Sequence, residues 1–218
     1  MIVSWLIWSL WLIWFAVWNV MALRVKRTAR SLSASARLLC LILLALTFYL
    51  LAAPGVPLPL LNDRFVPFTT WLPWLGPALT LAGIAFTIWA RVLLGGNWSG
   101  NVTLKHGHEL VVDGPPYRWV RHPIYTGILV ALAGTALALG EWRGVLALAI
   151  AAAALWRKLG LEEALMRGQF GDAYARYAER VPAAHSFRAV SGALTAATAQ
   201  AKEKPPKGGL SQFDGTIA

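Results

Sequence analysis

The chain opens with MIVSWLIWSLWLIWFAVWNVMAL over residues 1–23, followed by RVKRTARSLSASAR over residues 24–37. The first run carries no charge and, at about 1.5 Å per residue, is long enough to cross a hydrocarbon core of about 30 Å. The second holds Arg24, Lys26, Arg27, Arg30 and Arg37. A cleavable leader would put basic residues ahead of a shorter apolar core. The order here predicts a retained membrane helix, its start outside and its end in the cytoplasm.

The same alternation runs through the rest of the chain. A second span is expected over residues 38–56, ended by the prolines of 54–59, which cannot continue a helix. A third covers 71–94, with Arg91 snorkelling near its cytoplasmic end and Gly95-Gly96 as the stop. A fourth covers 124–139, a tight turn occupies 140–144, and a fifth covers 145–156. So short a connection makes the last two antiparallel neighbours. Gly127, Ala131 and Gly134 share one face, which suits close helix packing. Five crossings from an outside N-terminus put 24–37, 97–122 and everything after 157 on one side, where nearly all the lysines and arginines fall.

With 57% hydrophobic and 14% charged residues the chain is too apolar for an ordinary soluble protein. The net charge of +10 does not point to nucleic acid, because the basic residues sit at the ends of apolar segments rather than in a patch with interleaved aromatics. Cys40 is the sole cysteine, which excludes an intramolecular disulfide and a cysteine metal cluster; it reads as a small buried hydrophobe. No soluble-enzyme motif is present, neither a phosphate-binding glycine loop nor HExxH nor GxSxG, and no metal is expected. Spans nearly free of charge weigh against a transporter or channel, though a transporter or a non-catalytic membrane scaffold stays open.

Against this oily background, residues 114–127, GPPYRWVRHPIYTG, crowd two arginines, a histidine, two tyrosines and three prolines between apolar spans. Pro123 pushes His122 out of the helical region and suits the first turn of the helix that follows. His122 is therefore expected at a helix N-terminus, where the dipole disfavours an imidazolium and favours a neutral hydrogen-bonding ring. Arg118 and Arg121 supply permanent positive charge beside it, and the guanidinium fork suits a carboxylate or phosphate. Tyr125 can present its hydroxyl to the same space.

Further on, residues 159–181 read as an amphipathic helix or helix pair, with Glu163, Met166, Phe170, Tyr174, Tyr177 and Val181 on one face. Glu162 lies about 100° round from Glu163. Gly168 and Gly171 are candidate breaks. If this helix folds back under the fourth and fifth spans, Glu163 meets one of the arginines or a cationic ligand. The pair is then either a site or a fastening between helix and loop. Beyond about Ala189 the apolar periodicity stops and a disordered tail is expected.

The run His108-Glu109-Leu110-Val111-Val112-Asp113-Gly114, then Tyr117-Arg118-Trp119-Val120-Arg121-His122-Pro123-Ile124-Tyr125-Thr126-Gly127, resembles the cofactor motif of the isoprenylcysteine carboxyl methyltransferase family. Glu162-Glu163, Phe170-Gly171, Tyr174 and Tyr177 resemble that family's second signature, and the two together cover about residues 95–182. Two prolines, Pro115 and Pro116, precede Tyr117 where the family usually has one. The elements are shared with membrane phospholipid methyltransferases.

The resemblance implies an all-α integral membrane methyltransferase of about five transmembrane helices. Its cofactor would be S-adenosylmethionine, leaving as S-adenosylhomocysteine, in a cytoplasmic site formed by the loop before the fourth span and a C-terminal amphipathic helix. Residues 1–94 would be the N-terminal spans, 95–188 the methyltransferase region and 189–218 the tail. His108, Leu110, Val111, Tyr117, His122, Tyr125 and Glu163 would line the cofactor pocket, and Arg121, with Glu163 and His122, would stand near the reacting groups. The acceptor would be a lipophilic substrate entering from the bilayer, an isoprenylcysteine carboxylate first, with a phospholipid amine or a small thiol as alternatives. Membrane lipids would be its other partners, and the bacterial inner membrane its location.

Overall fold

A computed structural model describes residues 2–23, 28–31, 34–66, 72–95, 103–105 and 114–183, all within one compact unit, Met1–His185. The tail expected over 189–218 lies outside them, as do His108, Leu110 and Val111. The described elements are α1 (Ile2–Ala22), β1 (Thr28–Ser31), α2 (Ala34–Ala52), α3 (Pro59–Asn62), α4 (Leu72–Leu94), β2 (Thr103–Lys105), α5 (Pro123–Leu139) and α6 (Trp142–Arg180). The five expected spans correspond to α1, α2, α4, α5 and the first part of α6. All but α5 are long and apolar enough to cross a membrane; α5 has 17 residues, about 25 Å.

Helix limits follow local chemistry. α2 stops at Ala52, two residues before Pro54, earlier than the expected 56, because a residue preceding proline avoids the helical region. α5 starts on Pro123 and ends at Gly140, whose φ of 69° allows its N–H to reach the Ala136 carbonyl at 2.9 Å. The β1–β2 pairing is antiparallel and was not legible in the sequence. It joins the two basic segments, 24–37 and 97–122, that the crossing count puts on one side.

α4 and α5 form the tightest contact in the bundle. A methyl group built on Gly83 would stand 2.5 Å from the Gly127 carbonyl oxygen, and one on Gly134 would stand 2.6 Å from the Thr80 nitrogen. Gly76, Thr80, Gly83 and Thr87 on α4 thus interlock with Gly127, Ala131, Gly134 and Ala138 on α5. The small face read on the fourth span is real, and its partner is the third span. Lipid is as apolar as the helices, so close van der Waals contact and hydrogen bonds must hold such a pair.

Threonines provide those bonds. The Thr80 hydroxyl donates to Gly76 O at 3.0 Å and to Ala131 O at 3.2 Å. α1 joins through its indoles: Trp11 Nε1 donates to Thr135 Oγ1 and Trp14 Nε1 to Thr87 Oγ1, each at 3.0 Å.

Two arginines fasten the ends of the bundle. Arg91 does not snorkel; it is buried, donating to Gly95 O at 2.7 Å and to Met21 O at 3.0 Å, and so ties the last turns of α4 and α1 together. At the other end buried Arg143 donates to Glu141 Oε2 at 2.6 Å, to Leu50 O at 3.2 Å and to Ala53 O. Both arginines satisfy C-terminal carbonyls that a helix leaves open.

One expectation is corrected. Residues 159–181 do not fold back as a separate helix beneath the spans; α6 continues unbroken from Trp142 past Glu163. Arg157 and Lys158 are good helix formers and nothing between Trp156 and Leu161 stops the helix, with Gly160 absorbed. The break comes at Gly171 (φ 48°, ψ −125°), a conformation natural only to glycine, whereas Gly168 stays helical. What turns back is the short segment 172–183.

Candidate functional site

The site forms where α5 begins and α6 leaves the apolar region. Pro123 sits in the first turn of α5, and His122 is its N-cap residue with φ −122° and ψ 63°, as the His-Pro pair predicts. Position in the chain brings Arg121 and His122 to the loop edge and Tyr125 to the first turn. Glu162 and Glu163 come alongside because α6 runs antiparallel to α5 and overshoots it.

Arg121, His122 and Glu163 converge on one oxygen. Arg121 donates Nε to Glu163 Oε1 at 2.8 Å, its Nη2 lies 2.8 Å from the same atom, and His122 Nε2 lies 3.3 Å away. These side chains are 10–11% exposed. The second oxygen of Glu163 faces Arg167 Nη2 at 3.4 Å, an i,i+4 pair at the surface. Burial alone opposes ionisation of Glu163, but the bonds from His122 and Arg121 outweigh it and hold its carboxyl down at about 2.

Glu162 takes part as well. Tyr125 donates its hydroxyl to Glu162 Oε1, and His122 Nδ1 lies 3.7 Å from Glu162 Oε2. The His122 and Tyr125 rings are parallel, with centroids 5.7 Å apart, and Lys158 Nζ stands 5.3 Å from the Tyr125 ring centroid. An imidazole therefore stands between two carboxylates. Viewing α6 as a single face hid this role of Glu162; the adjacent Glu162-Glu163 pair was the available signal.

Tyr117 forms the wall behind the site. Its hydroxyl donates to Ala90 O of α4 at 3.2 Å, and its own carbonyl accepts the Tyr177 hydroxyl at 2.7 Å. Burial pushes the Tyr117 phenol up, and pushes that of Tyr177 up to about 12, so both act as neutral donors. Arg118, expected with Arg121 beside His122, is exposed instead.

The segment after Gly171 closes over Arg121. Arg121 Nη1 donates to Ala178 O at 2.8 Å and to Val181 O at 2.6 Å, while the Arg121 N–H reaches Pro182 O at 2.9 Å. Tyr174, Tyr177 and Val181 are buried with Met166, Phe170 and Ala178, the face that the periodicity predicted. Among the described residues no group of three or more His, Cys, Asp or Glu could hold a metal ion.

The apolar helices define a helical integral membrane protein with its charged cluster gathered at one end of the bundle. Residues 76–167 match the isoprenylcysteine carboxyl methyltransferase (ICMT) family, a region that takes in Arg121, His122, Tyr125, Glu162 and Glu163, while Phe170, Gly171, Tyr174 and Tyr177 of the second signature lie beyond it. A Schizosaccharomyces pombe protein-S-isoprenylcysteine O-methyltransferase is 35% identical over 99 residues, covering 43% of this chain and 40% of that protein. Protein-S-isoprenylcysteine O-methyltransferase B of Arabidopsis thaliana is 28% identical over 123 residues, covering 54% and 60% respectively. The chain thus spans about half the length of the curated relatives it matches. A solved structure of the eukaryotic intramembrane Ras methyltransferase ICMT aligns with a TM-score of 0.47 at 23% identity, over 70% of this chain and 51% of that one.

Proposed function

We propose that this protein transfers a methyl group from S-adenosylmethionine to a lipophilic acceptor at the membrane, and that the acceptor group is a carboxylate such as that of an isoprenylcysteine. The observation that carries the reading is the convergence of Arg121 and His122 on Glu163 at the mouth of α5, inside the family-matched region. The cofactor supplies an electrophilic methyl on a sulfonium. The chain's donor set suits its amino-acid end: paired carboxylates, Glu162 and Glu163, for the cationic groups, and a guanidinium and helix N-terminus for the anionic one. In this reading His108, Leu110, Val111, Tyr117 and Tyr125 complete the pocket.

Position does much of the work. α5 places His122 where loop becomes membrane helix, so a charged cofactor from the aqueous side and an acceptor from the bilayer can meet in line. The low exposure of the cluster excludes water from that meeting. A carboxylate acceptor needs no general base, only positive potential, which Arg121 provides. An amine or thiol acceptor would have to give up a proton to His122 or Glu163. In this reading the site faces the cytoplasm across a bacterial inner membrane, with the N-terminus outside, which the positions of the basic segments support.

Titration calorimetry with S-adenosylhomocysteine in detergent tests the cofactor site. Binding to the wild type that weakens in His122→Ala and Glu163→Gln is expected, whereas unchanged affinity in both sinks the assignment. Offering labelled cofactor to farnesylcysteine analogues, phospholipids and small thiols in parallel tests the acceptor. Label on a phospholipid headgroup alone overturns the carboxylate reading, and no binding at all favours a membrane scaffold or transporter.

A further inference from the structure

The cluster is nearly closed. With Arg121, His122 and Glu163 at 10–11% exposure, a molecule the size of the cofactor reaches Glu163 Oε1 only if something moves. α4 and α5 are locked by backbone contacts through Gly83, Gly127 and Gly134, and α5 is joined to α6 by a tight turn at Gly140. The segment 172–183 is held differently. It leaves the helix at Gly171, where a side chain would meet no atom within 4 Å, and its buried side chains Tyr174, Tyr177 and Val181 cluster with Met166 and Phe170 of the preceding turns. Among the described residues its polar ties to the rest of the site include the three donations of Arg121 to the Ala178, Val181 and Pro182 carbonyls and that of Tyr177 to the Tyr117 carbonyl.

Arg121 is the shared node. Its Nε and Nη2 face Glu163 and its Nη1 faces the two strap carbonyls, so each of its three side-chain nitrogens is engaged. A ligand anion can recruit Arg121 only by displacing Glu163 or the strap carbonyls. A planar fork can serve two partners at fixed angles; an ammonium cannot.

We infer that Arg121 is a positioning residue that latches segment 172–183 over the site, with Gly171 as the hinge, and that release of this latch admits the cofactor and lets its product leave. The inference rests on the methyltransferase reading for what passes through. The clasp itself does not depend on that reading. Tyr177 is the second catch, outside the reacting cluster.

The experiment compares wild type, Tyr177→Phe and Arg121→Lys as full chains in detergent. Amide hydrogen exchange is read in peptides from 172–183 and from α5, together with the dissociation rate of S-adenosylhomocysteine. Loss of one hydrogen bond should speed strap exchange and ligand release in Tyr177→Phe by about fivefold each, with α5 exchange unchanged. Arg121→Lys should speed strap exchange by more. A merely structural role would raise exchange in α5 as well, and that result overturns the inference. So does unchanged strap exchange in both variants, or faster strap exchange with unchanged release. Failure of the wild type to bind S-adenosylhomocysteine would overturn the methyltransferase reading and the gating together, while the exchange data still decide the clasp.

Discussion

Arg121 and Glu163 stand 42 residues apart in the chain, yet two guanidinium nitrogens lie 2.8 Å from a single carboxylate oxygen. That oxygen also faces His122. The pair couples the loop before α5 to the part of α6 that extends beyond the membrane span.

Replacing Glu163 by Gln leaves the Arg121 guanidinium buried without its counter-ion. Stability should fall by on the order of 3 kcal/mol, the usual scale for breaking a buried pair from one side. Denaturant unfolding in detergent measures this, and a change below about 0.5 kcal/mol would show the pair to be energetically idle.

The same residue sets an acid limit. Its carboxyl is held at about 2 against an ordinary 4.5, so between those values the unfolded chain binds more protons than the folded one. The stabilisation is fully present above pH 4.5 and is lost as pH falls toward 2. Unfolding midpoints taken from pH 6 downward should drop through that window in wild type and drop less in Glu163→Gln.

Glycines of two kinds should respond with opposite sign. Gly83→Ala puts a methyl group 2.5 Å from the Gly127 carbonyl and should destabilise by about 3 kcal/mol, since backbone cannot retreat cheaply. Gly160→Ala meets nothing within 4 Å on a regular part of α6 and should stabilise by roughly 0.5–1 kcal/mol. Equal effects in unfolding measurements would refute the proposed α4–α5 interlock.

Arg143→Met separates stability from binding. Its donations to the Leu50 and Ala53 carbonyls and to Glu141 are lost, at a cost of about 2–3 kcal/mol. α5 spans about 25 Å between this end of the bundle and His122. S-adenosylhomocysteine affinity measured below the melting temperature should therefore match wild type, and a tenfold loss would place Arg143 in communication with the site.

From the sequence alone came the membrane character, the starts of the spans to within a few residues, the turn at Gly140 and the capping position of His122. Each depends on hydropathy, charge order or the backbone restriction of proline and glycine, and such properties act over a few neighbouring residues. Tertiary structure alone decided that the glycine face of α5 meets α4 and that Arg91 is buried. It also decided that α6 runs straight past Glu163 to break at Gly171, and that Glu162 serves Tyr125 and His122. Apart from the run of α6, which helix propensity carries as far as Gly171, these outcomes depend on which faces meet across more than 30 residues of chain, and on which side chains become neighbours there. Periodicity identifies a face, but the fold selects its partner.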